Sequence, residues 1–364
     1  MFPKRRITMG GDVFRDEYSL AFDGTDDYIS LPSVTYNIDG GTVSFTFWAK
    51  RNDTSVVNLV LAGHQNYKFI SLHSNGNMYI EGNINNNLAS APIQTDTDWH
   101  HYAVVCSSGT VSMYEDGISL AMGDYDISGD LTITSISHST VKLFKGNISE
   151  VAIYNSALTA NQVKTIYNGR EPYNHKEGVA SGNLQAWYRM GDGILDHRQA
   201  NGLIADQTDA TLGSELITGF TNGDTYPFDT LTTSGRDISS AIETSGDWGG
   251  CASNQLNITA GEVYKCTFNL TYNSGDDTVR FVLASGATGG SVARSTTRYS
   301  NTSGINTMYF LVTATDSTSY FQIGTWHETD EINFSMSNVS LKKVGGNSGI
   351  MVNMDAVDFT GDTP

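Results

Sequence analysis

Short runs of alternating apolar and polar residues recur along most of the chain, and this period of two predicts β-strands. In the segment 41–50, Val43, Phe45 and Phe47 alternate with polar or aromatic neighbours, and the segment 264–273 repeats the pattern. Asn-Gly and Ser-Gly pairs separate several of these runs and favour tight hairpin turns. The pattern therefore predicts an all-β protein with two β-sandwich or jelly-roll domains.

One segment follows a helical period instead. Ser156 or Thr159 can cap a short helix, because both side chains accept hydrogen bonds from free backbone N–H groups. Apolar positions then recur at spacings of three and four, at Val163, Ile166 and Tyr167. Asn168 and Gly169 end the helix, since both tolerate the left-handed conformation.

Changes in pattern divide the chain into five segments. They are a basic N-terminal arm (1–17), a first strand-rich domain (18–169), a connector (170–212), a second β-domain (213–345) and a C-terminal tail (346–364). The tail shows neither a helical nor a strand period, and Gly10-Gly11 interrupts the arm.

Composition narrows the function classes. The 364 residues carry a net charge of −18, which argues against nucleic-acid binding because phosphate contacts need clustered basic residues. The three cysteines are too few, and odd in number, for a disulfide framework. No stretch approaches the roughly 18 apolar residues that would span a bilayer, so no membrane insertion is predicted. The basic start leads into no apolar signal region, which predicts folding in a cytoplasm.

Three phrases in the first domain resemble the landmarks of laminin-G-like domains, in the family's order and spacing. They are FDGTDDYISLP, DTDWHHYAVVCSSGTVSMYEDG and FKGNISEVAIYNSALTANQVKTIYNG. The resemblance implies a concanavalin A-like jelly roll with one short closing helix. The second domain ends in SMSNVSLKKV and resembles the jelly roll of carbohydrate-binding modules.

The arm MFPKRRITMGGDVFRDEYS, the phrase LQAWYRMGDG and the tail resemble segments of marine bacteriophage virion proteins of the cyanophage type. This implies a structural protein on the virion surface, assembled in the host cytoplasm, as a tail fibre, adhesin or capsid decoration. The arm would dock on other virion proteins, and many copies or a homo-oligomer would display the domains to host surface polysaccharide. A loose terminus is the alternative for the arm, and a purely architectural component is the alternative for the whole protein.

A calcium site is one candidate piece of chemistry. Ca²⁺ takes about six to eight oxygen ligands, and several aspartates crowd the turn after the first strand. Laminin-G-like relatives often hold a structural Ca²⁺, so the resemblance implies a site at Asp26, Asp27 and Glu150. The competing interpretation is that aspartates in turns bond their own backbone.

Aromatic side chains are the candidates for glycan binding, because their faces cover the apolar side of a sugar ring. The predicted contacts are Trp48, Tyr67, Tyr79, Trp248 and Trp326. For each of them, filling a core is the competing interpretation.

Catalysis is not predicted. Glycosidases need two carboxylates on either side of a cleft, and the run Glu-x-Asp-x-x-Glu of laminarinase-like enzymes is missing from the sequence. His100 and His101 are adjacent on a predicted strand, so their rings point to opposite faces and cannot share one metal. A polysaccharide-degrading enzyme is the second alternative for the function of the whole protein.

Overall fold

The computed structural model describes residues 14–63, 68–83, 87–123, 127–138, 142–171, 173–223, 226–244, 249–275, 278–287, 292–325 and 331–364. These residues divide into two compact units. The first lies within Met1–Ile29, Val34–Arg198 and Val352–Pro364, and the second comprises Ser30–Ser33 and Gln199–Met351. Both units are built of antiparallel strands, which confirms the all-β prediction.

The first sheet of the first unit has strand order β10-β9-β8-β3-β12-β1-β28, and β13 also pairs with β12. Its strands are β1 (Ser19–Asp23), β3 (Thr42–Arg51), β8 (Trp99–Ser107), β9 (Thr110–Glu115), β10 (Ile118–Ser119), β12 (Lys145–Tyr154), β13 (Leu184–Tyr188) and β28 (Phe359–Thr360). A bulge interrupts β12 at Glu150, whose φ is +50°. Nine of the ten residues of β12 are buried, so both of its faces are covered.

The second sheet of this unit runs β2-β11-β4-β5-β6-β7. Its strands are β2 (Tyr28–Asn37), β4 (Asn58–Ala62), β5 (Phe69–Leu72), β6 (Asn77–Asn83), β7 (Asn87–Pro92) and β11 (Asp130–Ile136). Tyr36 of this sheet meets Phe45 of the first sheet edge to face, with ring centroids 5.5 Å apart. The two sheets therefore enclose a core, as a sandwich requires.

The predicted helix, α1 (Ala160–Tyr167), covers the outer face of the first sheet. Thr159 rather than Ser156 is its N-cap, and it forms a capping box with Gln162. Val163 and Ile166 are buried, and Asn168 ends the helix in the left-handed conformation, as predicted. Within the described residues, no helix is long and apolar enough to cross a membrane.

The second unit is also a two-sheet sandwich. One sheet runs β17-β18-β26-β21-β24 with β15 beside β26, and the other runs β16-β19-β25-β22-β23 with β20 beside β25. The strands are β15 (Leu212–Glu215), β16 (Phe220–Asn222), β17 (Thr230–Ser234), β18 (Asp237–Glu243), β19 (Gly250–Ser253), β20 (Leu256–Ile258), β21 (Val263–Gly275), β22 (Val279–Ala284), β23 (Arg298–Ser300), β24 (Gly304–Leu311), β25 (Asp316–Gly324) and β26 (Ile332–Val344). Phe268 stacks on Phe281 in the core, at 4.8 Å between ring centroids.

The units divide the chain differently from the predicted segments. Residues 170–198 of the predicted connector lie in the first unit, and the remainder lies in the second. The tail contains β27 (Gly349–Val352), which pairs with β14 (Leu203–Ile204), and β28, which pairs with β1. The strands β14, β27 and β28 have only two to four residues, which is too short for an alternating pattern to show in the sequence. They are recognised in the structure by their backbone pairing with a partner strand.

An ionic cluster around the buried His100 supports the β8–β9 pair of the first unit. His100 is 4% exposed; its Nδ1 lies 2.9 Å from Asp116 Oδ2, and its Nε2 lies 2.9 Å from Asp96 Oδ1. The hydrogen bond to Asp116, followed by that to Asp96, raises the pKa of His100 to about 9, although burial alone would lower it. His100 is therefore an imidazolium ion held between two carboxylates at neutral pH.

Replacing His100 tests this cluster through its pH dependence. Since the folded-state pKa is raised, the stabilisation is complete below the unfolded value of about 6.5 and is lost as pH rises through about 9. We expect His100→Gln to lower the free energy of unfolding by about 2–3 kcal/mol at pH 6 and by much less above pH 9. Urea denaturation at both pH values measures the difference. Asp98→Asn, an exposed neighbour, is the control, and an equal loss at both pH values would contradict the interpretation.

Candidate functional site

An aromatic and amide cluster lies at the hairpin between β5 and β6. The side-chain amides of Asn75 and Asn77 donate to the hydroxyl of Tyr79, at 2.7 and 3.3 Å. The His73 ring lies against the Tyr79 ring with centroids 4.3 Å apart. We call His73, Asn75, Asn77 and Tyr79 the Tyr79 cluster. Its two amides and half-buried tyrosine are partly open to solvent, so it presents an aromatic ring beside polar groups.

Strand alternation explains why Tyr79 faces away from the main core. Its neighbours Met78 and Ile80 are fully buried, and successive side chains of a strand point to opposite faces. Tyr79 instead packs against a small separate cluster of Leu59, Ala62 and Phe69. This apolar base holds the tyrosine ring in place from one side.

Two hydrogen-bonding atoms near the Tyr79 cluster have no partner within the described part of the chain. They are Nε2 of His73 and Oγ of Ser71, which lies directly opposite Tyr79 in the ladder. Burial, with a smaller contribution from Lys142, lowers the pKa of His73 to about 4. The ring is therefore neutral at physiological pH and can donate or accept one further hydrogen bond, as can the serine hydroxyl.

The structure separates the other predicted glycan contacts. Trp48 is 5% exposed and packs against Tyr167 of α1 and against His101, at 5.6 and 5.3 Å between ring centroids. Both neighbours cover its ring, so Trp48 contributes to the packing of the helix on the sheet. Tyr67, Trp248 and Trp326 lie outside the described residues.

Three aspartates form a carboxylate cluster in the turn after β1. Ligand oxygens of Asp23, Asp26 and Asp27 lie within 4.8 Å of one another. Gly24, with φ of +79°, makes the turn possible, and a Cβ there would approach Lys145 to 2.8 Å. The Asp23 and Asp27 carboxylates also accept backbone N–H bonds within the turn, as the competing interpretation requires.

Burial and nearby carboxylates make one of these aspartates hard to ionise. They raise the pKa of Asp27 to about 6, with burial the larger cause and Asp23, Asp358 and Asp26 adding repulsion. A hard cation would relieve that repulsion, so the donor set fits Ca²⁺. Three carboxylates would supply part of the required oxygen ligands.

Glu150, the third predicted ligand, lies elsewhere on the first sheet. It is 3% exposed, and both of its carboxylate oxygens are engaged: Trp187 Nε1 donates to Oε2 at 2.5 Å and Arg189 Nε to Oε1 at 3.1 Å. The structure therefore groups Asp23, not Glu150, with Asp26 and Asp27. The prediction gave Glu150 that role on family resemblance. The pairing of β1 with β12 instead places Lys145 opposite Asp23, so Glu150 lies further along β12, away from the turn.

The sequence did not single out His73, Asn75 or Asn77. The available signal was the hairpin turn Ser74-Asn75-Gly76-Asn77, which comes shortly before Tyr79. A tight hairpin turn places its polar side chains close to the first residues of the strand that follows. His100 and His101 point to opposite sides as predicted: His100 faces Asp96 and Asp116, whereas His101 packs on Trp48.

Comparison with known proteins agrees with this architecture. Residues 23–164 match the family model described as the concanavalin A-like lectin/glucanases superfamily. This part of the first unit has a concanavalin A-like fold. The search of curated proteins gives no match.

Several solved structures are similar in part. A heptameric SAP-like pentraxin from Limulus polyphemus is 15% identical, with TM-score 0.33, over 45% of this chain and 85% of its own. A putative carbohydrate binding protein from Bacteroides ovatus is 18% identical, with TM-score 0.40, over 54% of this chain and 56% of its own. Domain 4 of a Geobacillus stearothermophilus arabinanase, solved with arabinotriose, is 22% identical, with TM-score 0.32, over 41% and 76%.

Calcium addition tests the carboxylate cluster. We expect saturating Ca²⁺ to raise the unfolding midpoint of the wild type, since a ligand that binds only the folded state stabilises by about 2.7 kcal/mol at one hundred times its Kd. The shift should weaken as pH falls below about 6, where Asp27 takes up a proton. Thermal denaturation with calcium or with a chelator measures it.

Asp27→Asn should abolish the calcium shift, because it removes the most buried carboxylate of the cluster. Asp39→Asn, at an exposed turn of the same unit, should keep the wild-type shift. If calcium does not change the thermal unfolding midpoint of the wild type, the calcium site is contradicted, and the three aspartates serve only to form the turn.

Proposed function

We propose that the first unit is a carbohydrate-binding module that recognises polysaccharide without cleaving it, and that the Tyr79 cluster is its contact surface. The observation that carries the proposal is the Tyr79 ring, fixed by two amide donors and the His73 ring on the outer face of a concanavalin A-like sandwich. The family match to a lectin and glucanase superfamily supports the same class of ligand.

The chemistry of the cluster suits a sugar. A tyrosine face offers an apolar surface to the C–H groups of a pyranose, while Asn75 and Asn77 have further amide hydrogens and oxygens for its hydroxyls. Neutral His73 packs its ring against Tyr79 and adds no charge to the surface. In a binding site, a few fixed polar groups around an apolar surface determine both the chemical class of the ligand and the orientation in which it binds.

Recognition without cleavage is proposed because the four side chains of the Tyr79 cluster include no carboxyl group. Glu81 lies beside Phe69 in the neighbouring row of the ladder and is 5% exposed, and burial raises its pKa. A glycosidase needs a pair of carboxyl groups about 5 to 10 Å apart across the scissile bond. Release of reducing sugar from a bound polysaccharide would favour the enzyme alternative.

We also propose that the protein is displayed in many copies on a bacteriophage particle, as a tail fibre, adhesin or capsid decoration. The support is the sequence resemblance of the arm, of LQAWYRMGDG and of the tail. The phrase and the tail meet at Gly191, next to the first residue after the arm: a Cβ there would approach Phe359 to 2.6 Å and Tyr18 to 3.1 Å. Weak binding at each copy would then combine into strong attachment to a host surface.

Replacing Tyr79 tests the binding surface. Using the full chain in multimeric form on arrays of bacterial and algal polysaccharides, we expect Tyr79→Ala to weaken retention about two- to tenfold, since aromatic stacking contributes roughly 0.5–1.5 kcal/mol. Tyr226→Ala, a 40% exposed tyrosine of the second unit, is the matched control and should retain binding.

The array result separates the alternatives. Retention that is equal for wild type and Tyr79→Ala would place recognition elsewhere on the protein. If no polysaccharide is retained even in multimeric form, the architectural alternative replaces the binding proposal.

Deleting residues 1–13 tests the docking arm. This truncation keeps the ordered contacts of residues 14–18 and removes Lys4, Arg5 and Arg6. We expect the shortened protein to fold and to bind polysaccharide, but to be lost from particles, as measured by immunoblotting of purified virions. Normal incorporation would contradict the docking role.

A further inference from the structure

Residues 14–18 are held on the surface of the first unit by a compact set of contacts, and we call this stretch the latch segment. The Arg189 guanidinium lies over the Phe14 ring at 4.2 Å, and Phe14 packs on Trp187 at 5.8 Å between ring centroids. Arg189 also donates to the backbone carbonyl of Arg15. The backbone N–H groups of Glu17 and Tyr18 donate to Asp192 Oδ2 at 2.7 and 2.8 Å.

The latch segment places the half-buried carboxyl group of Asp16 close to the buried Glu150. The Ser149 hydroxyl lies 3.3 Å from Asp16 Oδ2, next to the bulge that carries Glu150. The left-handed φ at Glu150 is unusual for a residue with a side chain, and such backbone conformations persist where the surroundings fix them. Here Trp187 and Arg189 fix the carboxylate that Asp16 faces.

Three carboxyl groups, Asp16, Glu150 and Asp192, surround one guanidinium, Arg189. Glu150 is buried, and Asp16 and Asp192 are half-buried. One cation cannot compensate three negative charges packed this closely, so at least one proton stays bound when the segment is docked. Burial, then repulsion from Glu150 and Asp192, raises the pKa of Asp16, and burial also raises that of Glu150. Asp192 accepts two backbone N–H groups and is also hydrogen-bonded to the Asp16 side chain.

The other charged and titratable groups around the cluster do not supply the missing compensation. Arg15 pairs with Glu17 on the exposed side of the segment, and Arg198 lies over the Tyr18 ring at 4.1 Å. His175 packs on Trp187 and is fully buried in the same region; burial lowers its pKa to about 3, so it is neutral. Asp196 accepts from the backbone of Gly191 and Gly193.

We propose that residues 14–18 form a proton-linked latch, which is docked while the Asp16–Glu150 pair holds a proton and is released as that proton is lost. In the free segment Asp16 is an ordinary solvated carboxyl group. Docking of the segment therefore takes up a proton. The docked state has its full stability below the ordinary pKa of a carboxyl group, and it loses stability as pH rises toward the raised pKa of docked Asp16. One bound proton gives a change of up to about tenfold per pH unit over that interval.

Hydrogen exchange of the latch segment tests this inference. Millisecond exchange read by mass spectrometry on the full chain follows the amides of Glu17 and Tyr18, corrected for the intrinsic exchange rate at each pH. We expect their protection to fall at least about tenfold between pH 6 and pH 9 in the wild type. In Asp16→Asn the asparagine side chain is neutral at every pH. The protection of the Glu17 and Tyr18 backbone amides should therefore stay constant from pH 6 to pH 9 and should exceed the wild-type protection at pH 9.

Two further variants make the outcome decisive. Glu17→Gln removes an exposed acid of the same segment and should keep the wild-type pH profile. Glu150→Gln removes the partner acid, so the protection of the Glu17 and Tyr18 amides should no longer depend on pH. This variant still tests the proposal if the segment does not dock in Asp16→Asn. Constant wild-type protection from pH 6 to pH 9, or an equal decline in Asp16→Asn and the wild type, would overturn the proposal.

Discussion

The burial of β12 on both faces is the constraint on which the first unit depends. Core side chains cover one face of this strand, while α1 and the segment around Trp187 cover the other. A strand without a solvent face can carry a polar side chain only if protein groups satisfy it, and Glu150 meets that condition through Trp187 and Arg189. The same covering layer buries Trp48, so packing on β12 decides which aromatic rings remain available for a ligand.

Much of this fold could be predicted from local pattern. The alternation of Val43, Phe45 and Phe47 places all three in the core, and the helix around Val163 and Ile166 begins and ends where capping residues occur. These features depend on neighbours within a few residues, which a sequence displays directly. The jelly-roll arrangement followed from the laminin-G-like phrases.

The candidate sites were harder to predict because they depend on distant contacts. Whether Trp48 is open or covered depends on Tyr167, more than a hundred residues later. Whether Glu150 reaches Asp26 depends on the register of β12 against β1, in which Asp23 lies opposite Lys145 and not opposite Glu150. Asp27 and Asp23, by contrast, are brought together by a local turn, and there the sequence was informative. A feature could be predicted when the contacts that determine it lie close together in the sequence, and it could not when they come from distant segments.

The pairing of β1 with β28 gives the first unit a particular mechanical property. Ser19 faces Thr360 and Leu20 faces Phe359, so the chain enters and leaves this antiparallel ladder at the same end. Tension on the two flanking segments therefore opens the ladder one bond at a time, like a zipper, instead of shearing several bonds together. Asp362, which accepts from Lys50 and Trp99, lies just beyond the zipper and resists its first step.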